Sequence, residues 1–152
     1  MPAIAGYPIE SAVTSERYLY DIRRTIGELI TDNFFHTLKG LAHEKGVTFT
    51  SETTAPVMLT DGMAHFKEVD VPMGEFWLRS PSHDKFNDIL DAVSGAHVYG
   101  KTIVQAEAFT QIRMQWDEHP ENLKTLQDRN YALGINKLVY HVFVHNPWMN
   151  KR

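Results

Sequence analysis

Three glutamates, Glu52, Glu75 and Glu107, stand at or near the ends of three successive apolar or β-branched runs, and His145 follows a fourth. If those runs are neighbouring parallel strands of an α/β sheet, all four residues share the rim where such sheets build active sites. Paired carboxylates are the equipment of glycoside hydrolysis. One protonates the leaving oxygen, and the other activates water or attacks the sugar. Strands lie about 4.8 Å apart, so Glu52 and Glu107, two strands apart, are about 9–10 Å apart at the backbone. Side chains can lean by several ångströms, which leaves the roughly 6.5–9.5 Å separation of an inverting pair feasible. The same carboxylates with a histidine could instead hold a hard cation through oxygen ligands. A single strand-end glutamate has a plainer reading, as the partner of Arg79 or Arg113.

Aromatic residues accompany the acids. Trp77, Phe109, Trp116 and Trp148 all fall at or just beyond strand ends. There they could lie against the C–H faces of sugar rings or serve as ordinary packing. Among the histidines His145 is the best placed for a site. His141 lies inside a strand with its direction undecided. His97 reads as helix packing, and His43, His83 and His119 as surface or capping residues.

The elements that must position these residues can be read in order. Thr14 or Ser15 can cap a helix with Glu16 in its first turn, and Leu19, Ile22, Ile26 and Leu29 or Ile30 recur at helical spacing. Thr31-Asp32-Asn33 reads as an interruption with Asp32 as a new cap, after which Phe35, Leu38 and Leu41 or Ala42 run on to a stop at Gly46. Val47–Glu52 reads as a strand. Thr53–Asp70, with Pro56, Asp61-Gly62, His65 and Lys67, lacks periodicity and reads as a long loop of functional length. Val71–Trp77 is the next strand. Ser82 can cap a helix whose face carries Phe86, Ile89 or Leu90, Val93 and His97, ending at Gly100. Thr102–Phe109 is a buried strand, Thr110–Glu118 a second long loop, and Pro120 the first turn of a helix that stops at Gly134. Lys137–Val144 is the last strand. The order predicts four parallel strands with outer helices, half of an eight-stranded barrel or a small open sheet.

Bulk properties exclude several classes. The 152 residues fit one domain, and 43% hydrophobic with 22% charged residues is ordinary for a globular chain. A formal net charge of −4 gives no electrostatic reason for nucleic-acid binding, and the lack of cysteine removes disulfides and thiolate metal sites. No apolar run approaches the roughly 20 residues that span a bilayer, and no compartment follows from the sequence.

Taken together, Val71-Pro72-Met73-Gly74-Glu75-Phe76-Trp77, Ala96-His97-Val98-Tyr99-Gly100-Lys101, Gln105-Ala106-Glu107-Ala108-Phe109 and His145-Asn146-Pro147-Trp148 resemble the catalytic barrel of glycoside hydrolase family 106. Upstream, Arg17-Tyr18-Leu19-Tyr20-Asp21-Ile22-Arg23-Arg24-Thr25 is also similar to that family. The resemblance implies a (β/α)8 barrel, α-L-rhamnosidase activity by inversion, a glycoside or oligosaccharide substrate and a bound calcium ion. It implies Glu107 as base and Glu75 as calcium ligand or second carboxylate, with His145 or Asn146 beside it. Glu52 becomes the general-acid candidate, and Trp77, Phe109, Arg113, Trp116, His145 and Trp148 the sugar-binding candidates. The loop after Glu52 departs from the family, which leaves the sugar open. Members are far longer, so the chain is expected to be a piece of the barrel with the rest missing. Alone it is expected to be catalytically silent, with two unpaired sheet edges that favour association. Two other readings are a non-catalytic carbohydrate-binding or structural module and a metal-dependent sugar isomerase or aldolase.

Overall fold

The computed structural model describes residues 2–53, 60–80, 86–111 and 117–142. After a short turn at Ala3–Ala5 come α1 (Ala12–Ile30), a π-helical turn (Thr31–Phe35) and α2 (His36–Glu44). Then β1 (Thr50–Glu52), α3 (Gly62–Glu68), β2 (Val71–Trp77), α4 (Phe86–Val98), β3 (Gln105–Thr110), α5 (Pro120–Leu133) and β4 (Lys137–Tyr140) alternate. The strands form one sheet in the order β1-β2-β3-β4, with every pairing parallel. The expected α/β architecture of four parallel strands with helices is therefore present, and it is consistent with part of a barrel.

Several boundaries differ from the sequence reading. Ser11, not Thr14 or Ser15, caps α1: its side chain accepts from Thr14 N at 3.1 Å. The segment at Thr31-Asp32-Asn33 does not break the helix. It widens into a π-turn that runs straight into α2 and buries Thr31 and Phe35. The stretch read as a long loop contains α3. Asp61 caps it by accepting from Met63 N at 2.9 Å and Ala64 N at 3.3 Å. At seven residues α3 is too short to display helical periodicity, so only Asp61-Gly62 signalled it. β1 is shorter than Val47–Glu52, and β3 begins at Gln105 rather than Thr102.

The core lies between the sheet and α3, α4 and α5. Phe66, Val69, Phe76, Ile89, Ala92, Val93, Ala96, Ala106 and Ala108 are buried together. The covered face of α4 is Ile89, Ala92, Val93 and Ala96, while Phe86 and His97 are exposed. This corrects the face expected to include His97. Gly95 lets α3 approach, because a Cβ there would lie 2.6 Å from that of Phe66. Lys101, at the opposite end of β3 from Glu107, donates its ammonium hydrogens to the carbonyls of Phe66, Lys67 and Val69. It satisfies carbonyls that the end of α3 leaves open. The Asn136 side chain does similar work beside β3, accepting from Val104 N at 2.9 Å and donating to Thr102 O at 2.7 Å.

Candidate active site

Register decides which side chains share a face. Glu75 on β2 is paired directly with Glu107 on β3, and Glu107 with Val139 on β4. Glu52 on β1 is paired with Met73, two residues below Glu75. Alternation therefore places Thr50, Glu52, Met73, Glu75, Gln105 and Glu107 on the face turned away from the helices. The Thr50 hydroxyl donates to Gln105 Oε1 at 2.8 Å, a contact that passes over β2. Side chains of β1 and β3 thus converge above the middle strand. All three glutamates lie on one face, with Glu75 and Glu107 level and Glu52 one layer deeper.

Each of the two level carboxylates has one oxygen held from the rim. Trp77 Nε1 donates to Glu75 Oε1 at 2.5 Å, and Thr110 Oγ1 donates to Glu107 Oε1 at 2.7 Å. The same Glu107 oxygen lies 3.8 Å from His141 Nε2, an ion-pair distance but not a hydrogen bond. His141 follows β4, and its backbone N–H donates to Ala108 O at 3.1 Å. The sequence left its direction open and favoured His145; the structure turns His141 toward Glu107.

Glu52 has a different environment. Its Oε2 is buried and makes no hydrogen bond among the described residues. Burial, then the negative charges of Glu107, Glu75 and Asp88, raise its carboxyl to about 7. A carboxyl in that state holds its proton up to neutral pH and can donate it. Asp88, in the first turn of α4, is a buried carboxylate next to the site that the sequence reading passed over.

The aromatic candidates divide. Trp77 is half-buried at the rim and bound to Glu75. Phe109, expected as a sugar platform, is buried in the core, where it meets Phe76 edge-on at 5.1 Å and stacks on Tyr140 at 5.9 Å. The cause is a bulge. Phe76 pairs with Ala108 but Trp77 pairs with Thr110, so Phe109 is an extra residue with φ 61°. The bulge turns its ring to the helix side. Arg113, Trp116, His145, Asn146 and Trp148 lie outside the described residues. Arg79, weighed as a partner for a strand-end glutamate, instead binds Asp117 Oδ1 and Glu118 Oε1, both at 2.9 Å.

A parallel sheet with carboxylates level at its C-terminal rim is an arrangement that sugar hydrolysis can use. The alpha-L-rhamnosidase profile of glycoside hydrolase family 106 matches residues 1–152, and the chain belongs to that family. It is 40% identical over 148 residues to a Formosa agariphila protein named "Putative beta-glucuronidase", covering 97% of this chain and 12% of that protein. It also matches the structure of a rhamnosidase from Novosphingobium sp. PP1Y with TM-score 0.80 and 33% identity, over 91% of this chain and 14% of that one. The chain therefore spans about an eighth of the length of these relatives.

Proposed function

We propose that this chain contributes catalytic carboxylates to a rhamnosidase-like glycosidase that acts by inversion. The observation that carries the reading is that Glu52 and Glu107, two strands apart, share one face of the sheet, the spacing an inverting pair needs, with Glu75 between them. Glu107 takes a proton from water as the water oxygen bonds to the anomeric carbon. The glycosidic C–O bond breaks, and its electron pair goes to the leaving oxygen, which receives a proton from a carboxylic acid. Glu52 is the proposed acid, because its carboxyl is raised to about 7 and stays protonated where Glu107 must be ionised. Trp77 lines the same rim as a surface for the sugar ring.

Calcium belongs to this reading only through Glu75. Its carboxylate is the hard-oxygen type that calcium takes, but calcium needs about 6–8 such ligands. Among the described residues no group of three His, Asp or Glu side chains is arranged to hold a metal ion. The described donors alone therefore do not complete a calcium site, and no step above depends on one.

The test is product analysis with the complete protein that carries this chain. An aryl α-L-rhamnoside should be cleaved, with the first-formed sugar having the opposite anomeric configuration by NMR. Retained configuration, or no hydrolysis of any glycoside, would overturn the reading. The name of the Formosa agariphila relative favours a second substrate, a β-glucuronide, and an aryl β-glucuronide in the same panel separates the two. A carbohydrate-binding module would turn over neither, and an isomerase or aldolase would act on free sugars.

A further inference from the structure

Thr110 stands three residues after Glu107, and in a regular strand residues three apart point to opposite faces. Yet the Thr110 hydroxyl donates to Glu107 Oε1 at 2.7 Å. The extra residue at Phe109 makes this possible. Ala108 and Phe109 both turn to the helix side, the register slips by one, and Thr110 returns to the Glu107 face opposite Trp77. Phe109 adopts φ 61°, in the left-handed region, which is strained for a residue with a side chain. Three contacts hold it there: its ring is packed against Phe76 and against Tyr140, and the neighbouring Thr110 carbonyl accepts from Leu78 N at 2.9 Å. Thr110 itself is only 3% exposed, so little water competes for its hydroxyl.

β2 reaches the same end without a bulge. Glu75 and Trp77 are two residues apart, share a face by ordinary alternation, and are joined at 2.5 Å. Trp77 and Thr110 are cross-strand partners. One rim layer of donors therefore sits directly above one layer of carboxylates, and each donor takes the Oε1 oxygen. No hydrogen bond to Oε2 of Glu107 is made among the described residues.

We infer that Thr110 is a positioning residue for Glu107, and that the Phe109 bulge exists to deliver it. The hydroxyl fixes the carboxylate rotation, so that Oε2 faces the attacking water at a constant angle. This rests on Glu107 being the base. Misplacing a reacting group by about 1 Å costs about 100-fold in rate. Thr110→Val, which keeps the shape and removes the donor, should lower kcat about 10- to 100-fold with KM changed less than about twofold. Thr110→Ser, which restores the donor, should return kcat to within about threefold of wild type.

The experiment is steady-state kinetics of the complete protein carrying Thr110→Val, Thr110→Ser and, as reference, Glu107→Gln. A fall in kcat alone for valine, rescued by serine, supports the inference. Wild-type kcat for valine beside an inactive Glu107→Gln overturns it and leaves the base assignment standing. A change confined to KM makes Thr110 a substrate contact and also overturns it. Should the valine variant not fold, Thr110→Ala decides: a fall in kcat with KM unchanged supports the inference, and wild-type kcat overturns it. Turnover by Glu107→Gln overturns both this inference and the function it rests on.

Discussion

The ends of β2 and β3 differ from the end of β1 in how their polar groups are treated. Above Glu75 and Glu107 a donor is supplied for each carboxylate, by alternation on one strand and by a bulge on the other. At β1 the Glu52 Oε2 and Thr53 Oγ1 atoms are buried without a hydrogen bond among the described residues. Near them His65 is wholly buried, with the Ser51 backbone close by but no well-formed hydrogen bond to either ring nitrogen among the described residues, pressed edge-on against Phe35 at 4.0 Å and Phe66 at 5.2 Å. A buried group with a partner is a fixed charge or dipole, whereas one without a partner avoids charge by gaining or losing a proton. The difference teaches that β2 and β3 hold their carboxylates with hydrogen-bond donors, whereas β1 leaves the Glu52 carboxyl to burial, which raises it to about 7.

The largest expected effect tests that division directly. Glu107→Gln removes a proposed base and should lower kcat by about 10²- to 10⁴-fold, read from initial rates on an aryl glycoside. Glu52→Gln removes the proposed acid, and its signature is different: wild type should lose activity as pH rises through about 7, and Glu52→Gln should lack that limb. An alkaline limb unchanged by Glu52→Gln would return the proton to some other group and erase the contrast between the strands.

Next in size is the attachment of α3, which carries His65 near β1. Gly95→Ala places a methyl 2.6 Å from Phe66 Cβ, an atom close to the backbone that cannot swing aside. Overpacking of this kind should cost about 1–3 kcal/mol, measured by urea denaturation. The loss should appear as faster hydrogen exchange in α3 and β1 before β2 and β3. Equal loosening of all four strands would mean that the two regions are not mechanically separate.

Much of this was legible beforehand, and the failures have local causes. The strands at β2 and β3 were readable because their apolar runs lie near the sheet centre, and the glutamates at their ends stood out as charges among Val, Ala and Phe. The position of Glu75 level with Glu107 was not readable, because register depends on pairing between segments 32 residues apart. Phe109 was misjudged because a one-residue bulge leaves no mark in composition. His141 could have been found: regular alternation from Val139, the partner of Glu107, leads to it. The helix stripe Leu19, Ile22, Ile26 and Leu29 was recognised, yet in all of α1 only Gly27 is buried. Periodicity marks a face able to be covered and does not say that the described chain covers it.

The smallest effect is one that wild type should hide. His65 is lowered to about 4 by burial, against a raising influence from the Ser51 backbone and with Lys101 adding to the lowering. The unfolded chain binds that proton near pH 6.5 and the folded chain only near 4, so His65 stability is complete above 6.5 and lost as pH falls toward 4. Glu52 has the opposite sign. Its folded carboxyl keeps a proton up to about 7 while the unfolded one loses it near 4.5, so its stability is complete below 4.5 and lost as pH rises through 7. Between pH 4.5 and 6.5 the unfolded chain holds one more proton at His65 and one fewer at Glu52. The two slopes cancel, and unfolding free energy should be nearly flat there. His65→Phe, which fills the aromatic pocket without a titrating group, should expose the Glu52 slope, with stability falling by about 1–3 kcal/mol from pH 4.5 to 6.5. Glu52→Gln should expose the His65 slope, rising over the same interval by a similar amount. Urea denaturation of the three proteins at pH 4.5, 5.5 and 6.5 reads both. Parallel pH profiles for all three would show that neither group titrates differently on folding, and the distinction drawn between β1 and its neighbours would fail on its own terms.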